Sequence, residues 1–64
     1  MSHHDYEASK RLMLDDPPFY AIIMAAMRKA DDANQRLLQM CYPRVWDELV
    51  ERYNSPGGLL PEER

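Results

Sequence analysis

The chain has 64 residues, a mass of 7.6 kDa and a net charge of −3, which permit a single domain and argue against a general nucleic-acid-binding protein. Its one cysteine, Cys41, excludes an intrachain disulfide and a cysteine-based zinc site. The absence of Thr and the scarcity of Ile and Val disfavour a sheet. A domain this small usually needs a disulfide, a structural metal or oligomerisation for stability, so we expect the chain to associate with itself.

The first predicted helix begins after Ser2, which can cap it, with Asp5 three positions later as in a capping box. This helix is expected to reach about Leu14. The run 15–18 (Asp-Asp-Pro-Pro) then interrupts it, because prolines cannot lie inside a helix and each disfavours helical geometry in the residue before it.

The second and third predicted helices begin at acidic residues. Helix two is expected over about residues 18–30, with Asp16 as its cap and the prolines in or before its first turn. Helix three is expected to begin at Asp32, with Gln35 as its capping-box partner, and to end before Pro43.

Helix four begins at Pro43 and has the clearest apolar pattern of the chain. Its apolar residues recur at i and i+4: Val45, Trp46, Leu49, Val50 and Tyr53. We expect Trp46 in the core against Phe19 and Ile23, and the run 54–58 (Asn-Ser-Pro-Gly-Gly) to end the helix. The predicted fold is therefore all-α, with three to four short helices in a compact hairpin or small bundle. One domain covers residues 1–58, and a C-terminal tail covers residues 59–64.

Helix two is apolar on two faces, which a surface helix of a small monomer is not. One face can pack within the protomer: Phe19, Ile22, Ile23, Ala26 and Ala30. The second face needs another subunit or a ligand: Tyr20, Met24 and Met27. We therefore predict a homo-oligomer, by default a two-fold dimer, with the second face in its interface. The alternative is that both faces are internal core.

No catalytic, metal or cofactor site is predicted. The adjacent His3 and His4 would point about 100° apart on a helix and would not converge on a metal ion. Cys41 lies in an apolar stripe with no base nearby, as expected of a buried structural thiol. Helix capping explains the paired acids at 15–16 and 31–32, so we expect a protein that is not an enzyme.

Basic and aromatic side chains could form a site for a small anionic nucleotide, because guanidinium clamps and aromatic stacking recognise such ligands. The candidate ligand-binding residues are Tyr20, Met24, Arg28, Lys29 and Arg44. Arg28 extends the face of Tyr20 and Met24 by one turn, so it would lie at the edge of an interface cleft. The alternative is that Arg28 pairs with Asp31 or Asp32.

Three stretches resemble short, uncharacterised helical proteins of bacteriophages and prophages. They are residues 19–31 (FYAIIMAAMRKAD), 42–49 (YPRVWDEL) and 52–58 (RYNSPGG). The resemblance carries no site residues. It implies an anti-defence role, because short acidic phage proteins often bind a host effector protein or sequester a nucleotide second messenger.

Two functional hypotheses follow. The leading one is a non-catalytic phage-type protein of immune evasion, an anti-defence sponge that holds a nucleotide second messenger at its subunit interfaces. The alternative is a phage protein that binds and inhibits a host protein through its acidic or Met-rich surface. A helical dimer without a ligand is a third possibility. We expect neither bulk nucleic acid nor a membrane as partner, and a location in the host cytoplasm because no signal-peptide pattern is present.

Overall fold

The computed structural model describes residues 1–64 and consists of helices joined by short connections. The four α-helices are α1 (His3–Met13), α2 (Phe19–Lys29), α3 (Asp32–Cys41) and α4 (Pro43–Tyr53). Two 3₁₀ turns follow, Pro56–Gly58 and Pro61–Glu63. There are no strands, so the all-α prediction is confirmed. None of the helices has both the length and the apolar character that crossing a membrane requires.

The caps of α1 and α2 show one correct prediction and one wrong one. Ser2 caps α1 as expected, since its hydroxyl accepts a hydrogen bond of 3.2 Å from the backbone N–H of Asp5. Asp16 does not cap α2; Pro18 precedes that helix and no side chain caps it. Asp16 instead has a left-handed backbone with φ of 45°, a conformation that Asp tolerates better than most residues. The residue turns the chain between α1 and α2.

Helix α3 begins at Asp32 as predicted, but Asp32 is not its cap. Asp31, rather than Asp32, caps the helix by accepting a 2.9 Å hydrogen bond from the N–H of Asn34. Gln35 does not complete a capping box. Its side-chain amide donates to the carbonyl of Met27 at 3.0 Å, one of the last carbonyls of α2, which lack partners inside their own helix. Gln35 thus ties α3 to the end of α2.

Helices α2, α3 and α4 pack against one another, whereas α1 lies apart. No Cα atom of α1 comes within 8 Å of a Cα atom in another helix. The molecule is accordingly elongated, with extents of 42 × 27 × 16 Å and a radius of gyration of 13.7 Å. A compact domain of this length would have a radius of gyration of about 11 Å. The expected compact bundle is therefore a three-helix unit with an extra helix outside it.

The core is very small. Only Met27, which is fully buried, and Leu60, which is 8% exposed, count as buried. The assignment of Met27 to an outer, interface-forming face of helix two was therefore wrong, because its side chain lies inside the protomer. Phe19, placed on the inner face, is instead 56% exposed. Trp46 is half-buried, and Cys41 is exposed rather than buried.

The C-terminal residues fold back onto α4 and do not form a free tail. Leu60 is one of the two buried side chains, and Arg52 of α4 binds this segment at two places. Its guanidinium donates to the carbonyl of Gly58 at 2.9 Å and to both carboxylate oxygens of Glu63, at 2.7 and 2.9 Å. Glu48 accepts a further bond from Arg52 at 3.3 Å. The domain therefore extends to the end of the chain.

The surface area shows how little of the chain is packed. The protomer exposes 5545 Å², whereas a compact monomer of its mass would expose about 4,300 Å². The difference of about 1,200 Å² exceeds the roughly 800 Å² that one partner contributes to a standard protein interface. The most exposed large apolar side chains within the helices include Tyr6, Leu12, Met40 and Tyr53, each more than half exposed.

Candidate functional site

A concave surface lies where α2, α3 and α4 meet. We call it the Trp46 groove; its volume is about 310 Å³. It is lined by Met27, Arg28, Gln35, Trp46, Leu49, Val50 and Tyr53. Five of these seven residues are apolar, so the groove has an apolar lining with two polar groups.

Arg28 is the one charged residue of the Trp46 groove. Its guanidinium is exposed and makes no ion pair with any carboxylate, Asp31 and Asp32 included. The other polar group, the amide of Gln35, is engaged by the carbonyl of Met27. The groove therefore offers a free cation beside apolar and aromatic surface, which suits a ligand that combines an apolar group with an anionic one.

A second groove, more open than the first, is formed by residues of α2, α3 and the two connections that follow them. We call it the Leu37 groove; its volume is about 480 Å³. It is lined by Ala26, Lys29, Ala30, Asn34, Leu37, Leu38, Cys41 and Tyr42. Its lining includes small residues at the end of α2, Ala26 and Ala30, and apolar residues of α3, Leu37 and Leu38.

The predicted ligand-binding residues do not converge within one chain. Arg28 lines the Trp46 groove and Lys29 lines the Leu37 groove. Tyr20, Met24 and Arg44 line neither groove. A single protomer therefore has no clamp of several cations around one site.

An aromatic patch surrounds the N-terminal end of α2. The rings of Phe19 and Tyr20 meet edge to face with centroids 5.3 Å apart, and Phe19 meets Tyr42 at 6.3 Å. Phe19 and Tyr20 are both more than half exposed. Tyr20 is therefore exposed in the protomer, whereas Met24 is half-buried and Met27 is inaccessible.

Trp46, Tyr53 and Gln35 were not among the candidate ligand-binding residues predicted above, and Trp46 was assigned to the core. The spacing of Trp46 and Tyr53 was a usable signal, because residues seven apart lie on the same stripe of a helix. Their meeting with Arg28 depends on how α2 crosses α4, which no local pattern specifies.

The ionisable residues show no arrangement typical of metal binding. No group of three or more His, Cys, Asp and Glu side chains is close enough to hold a metal ion. His3 lies 3.3 Å from the Glu7 carboxylate within α1.

Comparisons with protein-family models, with curated proteins and with solved structures find no match to this chain. The functional argument therefore depends on the geometry of the grooves and on the sequence.

Proposed function

We propose that this chain is a non-catalytic, phage-type binding protein that acts as a homo-oligomer in the host cytoplasm and inhibits a host defence protein. The Trp46 groove is its binding surface. The partner presents an apolar side chain next to a carboxylate, and the carboxylate pairs with Arg28.

The observation that carries this proposal is the composition of the Trp46 groove. Its lining is mainly apolar, and the one cation at the groove has no ion pair in the protomer. Aromatic residues and arginine are the side chains most enriched at the energetic centres of protein interfaces. A lone guanidinium pairs well with one carboxylate through two parallel hydrogen bonds. A protein segment supplies both an apolar side chain for the lining and a carboxylate for Arg28.

The test is capture of a bacterial host protein by the immobilised chain, followed by binding of the purified partner. We expect capture by the wild type, and its loss in Arg28→Glu. Arg44→Glu is the matched control, since Arg44 is exposed and lines neither groove. Trp46 is the only tryptophan, so its emission should shift when the purified partner fills the groove. Equal capture by both variants, or an unchanged emission, would contradict the proposal.

A nucleotide second messenger is the second candidate ligand, and the aromatic residues of the groove favour it. Trp46 and Tyr53 flank the groove that contains Arg28, and a base can stack on an aromatic ring while a guanidinium holds a phosphate. Calorimetry with cyclic dinucleotides and ADP-ribose-type nucleotides distinguishes the two candidates. Heat of binding that disappears in Arg28→Ala would support the sponge hypothesis, and no heat with any nucleotide would reject it.

A further inference from the structure

Helix α1 has no partner inside the protomer, although it carries apolar side chains. Tyr6 is 61% exposed, Leu12 66%, Met13 53% and Leu14 83%. An isolated helix of 11 residues is only marginally stable in water, because the free energy gained over a few turns does not offset the cost of forming the first turn. A stable α1 therefore needs a surface to pack against.

The connection between α1 and α2 keeps α1 away from its own three-helix unit. Asp16 has a left-handed backbone, and the rings of the next two residues, Pro17 and Pro18, fix their own φ angles. A short, stiff connection of this kind hinders folding back onto the same chain and favours exchange of the segment with another copy.

The residues that line the Leu37 groove along α3 have the same spacing as apolar residues of α1. Asn34 and Cys41 of the lining are seven residues apart along α3, and Tyr6 and Met13 are also seven residues apart on one stripe of α1. Each pair spans about 10 Å of helix. The two alanines in the lining of the groove permit close approach of a helix, and apolar anchors at this spacing are the usual means by which a helix binds in a groove.

The excess surface area matches a two-fold assembly. Each protomer exposes about 1,200 Å² more than a compact monomer of its mass, and a standard interface takes roughly 800 Å² from each partner. In a reciprocal exchange every copy donates one α1 and receives another. Both unpartnered surfaces, the helix and the groove, are then covered by the same two-fold contact.

We propose that α1 of each copy docks in the Leu37 groove of a second copy, which makes the chain an arm-exchanged dimer. This inference rests on the oligomeric part of the proposed function and names the segment that mediates it. Arg11 at the end of α1 and Asp32 at the start of α3 both lack an ion pair in the protomer, and their pairing sets the direction of docking. Tyr6 then lies near Cys41 of the other copy, and Met13 near its Asn34.

Disulfide formation between two different chains tests the contact directly. One chain carries Tyr6→Cys with Cys41→Ser, and the other is the wild type with its native, exposed Cys41. We expect a mixed disulfide between the two chains on mild oxidation, identified by mass. Ala8→Cys with Cys41→Ser is the matched control, because residue 8 lies about 200° around the helix from residue 6. The control should form much less mixed disulfide.

Sedimentation of charged variants provides the second measurement. Tyr6→Glu and Met13→Glu should each weaken dimerisation by about tenfold or more, since they place a charge in the groove. Ala33→Glu, on an exposed position outside both grooves, should dimerise as the wild type does. A dimer that forms no mixed disulfide, or that tolerates both substitutions, overturns the exchange of α1 and leaves the oligomer in place. A wild-type monomer at all concentrations overturns both.

Discussion

Arg52 and Glu63 form a two-bond ion pair, with nitrogen–oxygen distances of 2.7 and 2.9 Å, which joins the last turn of the chain to α4. The same guanidinium bonds the carbonyl of Gly58. Two parallel bonds between a guanidinium and a carboxylate are among the stronger polar contacts of proteins. Because the pair spans 11 residues, it closes the loop that contains Leu60, one of the two buried residues.

The Arg52–Glu63 pair makes stability depend on pH. The hydrogen bond from Arg52, helped by the N–H of Leu60, lowers the pKa of Glu63 from 4.5 to about 2, and the carboxylate in turn raises the pKa of Arg52. The unfolded chain therefore takes up this proton first as pH falls. The stabilisation is complete above the unfolded pKa of 4.5 and disappears as pH approaches 2.

Glu63→Gln isolates this contribution. The free energy of unfolding of the wild type should exceed that of Glu63→Gln at neutral pH, and the difference should shrink between about pH 5 and about pH 2. Denaturant titrations at several pH values, at one protein concentration, measure it. Glu62→Gln is the control, since Glu62 has no ion pair and its difference from the wild type should stay near zero. A pH-independent difference for Glu63→Gln would contradict the assignment.

Met27→Ala should unfold the isolated protomer. Met27 is the one fully buried side chain, and truncating a buried methionine to alanine costs about 2–5 kcal/mol. A domain of this size has a total stability of about 3–5 kcal/mol. Circular dichroism and thermal melting should show loss of helix and of the cooperative transition. Met40→Ala, at a position that is 77% exposed, should melt like the wild type; similar melting of both variants would mean that Met27 is not the core.

The helix boundaries could be predicted from the sequence because capping and proline act over a few residues. Ser2 caps α1 as predicted, and Pro43 starts α4. The errors at Asp16 and Asp32 have different origins. Neither aspartate of the pair 15–16 caps α2, because Pro18 lies directly before that helix and Asp16 turns the chain. In the pair 31–32 the two aspartates have equal capping propensity, and the path of the connecting turn gives Asp31 the extended backbone that a cap requires.

The core and the grooves could not be predicted from local pattern. Helix two is apolar on two faces, and only the crossing of α3 and α4 shows that Met27 belongs inside while Phe19 remains exposed. Likewise, nothing in residues 59–64 alone indicates that Glu63 meets Arg52. These contacts connect segments that are distant along the chain, so their geometry depends on packing.

Asp31→Ala should destabilise α3, whereas Asp32→Ala should have little effect. The Asp31 carboxylate accepts the N–H of Asn34 at 2.9 Å, and loss of such a cap costs about 1 kcal/mol. Asp32 lies in the first turn, where its charge favours the helix by only a few tenths of a kcal/mol. Urea titrations of the two variants at equal concentration compare them. An equal loss in both would show that the pair shares the capping role.

Gln35→Ala should lower the free energy of unfolding by about 1–2 kcal/mol. The substitution removes the hydrogen bond from the Gln35 amide in α3 to the Met27 carbonyl at the end of α2. That carbonyl belongs to the last turn of α2 and has no partner within its helix. Gln39→Ala is the matched control: it is the same change in the same helix, at a half-buried glutamine that makes no side-chain hydrogen bond. Urea unfolding at fixed protein concentration, with the slope checked for constancy, gives the difference. Equal stability of the two variants would show that water replaces the Gln35 amide at no cost and that the α2–α3 packing is set by apolar contacts alone.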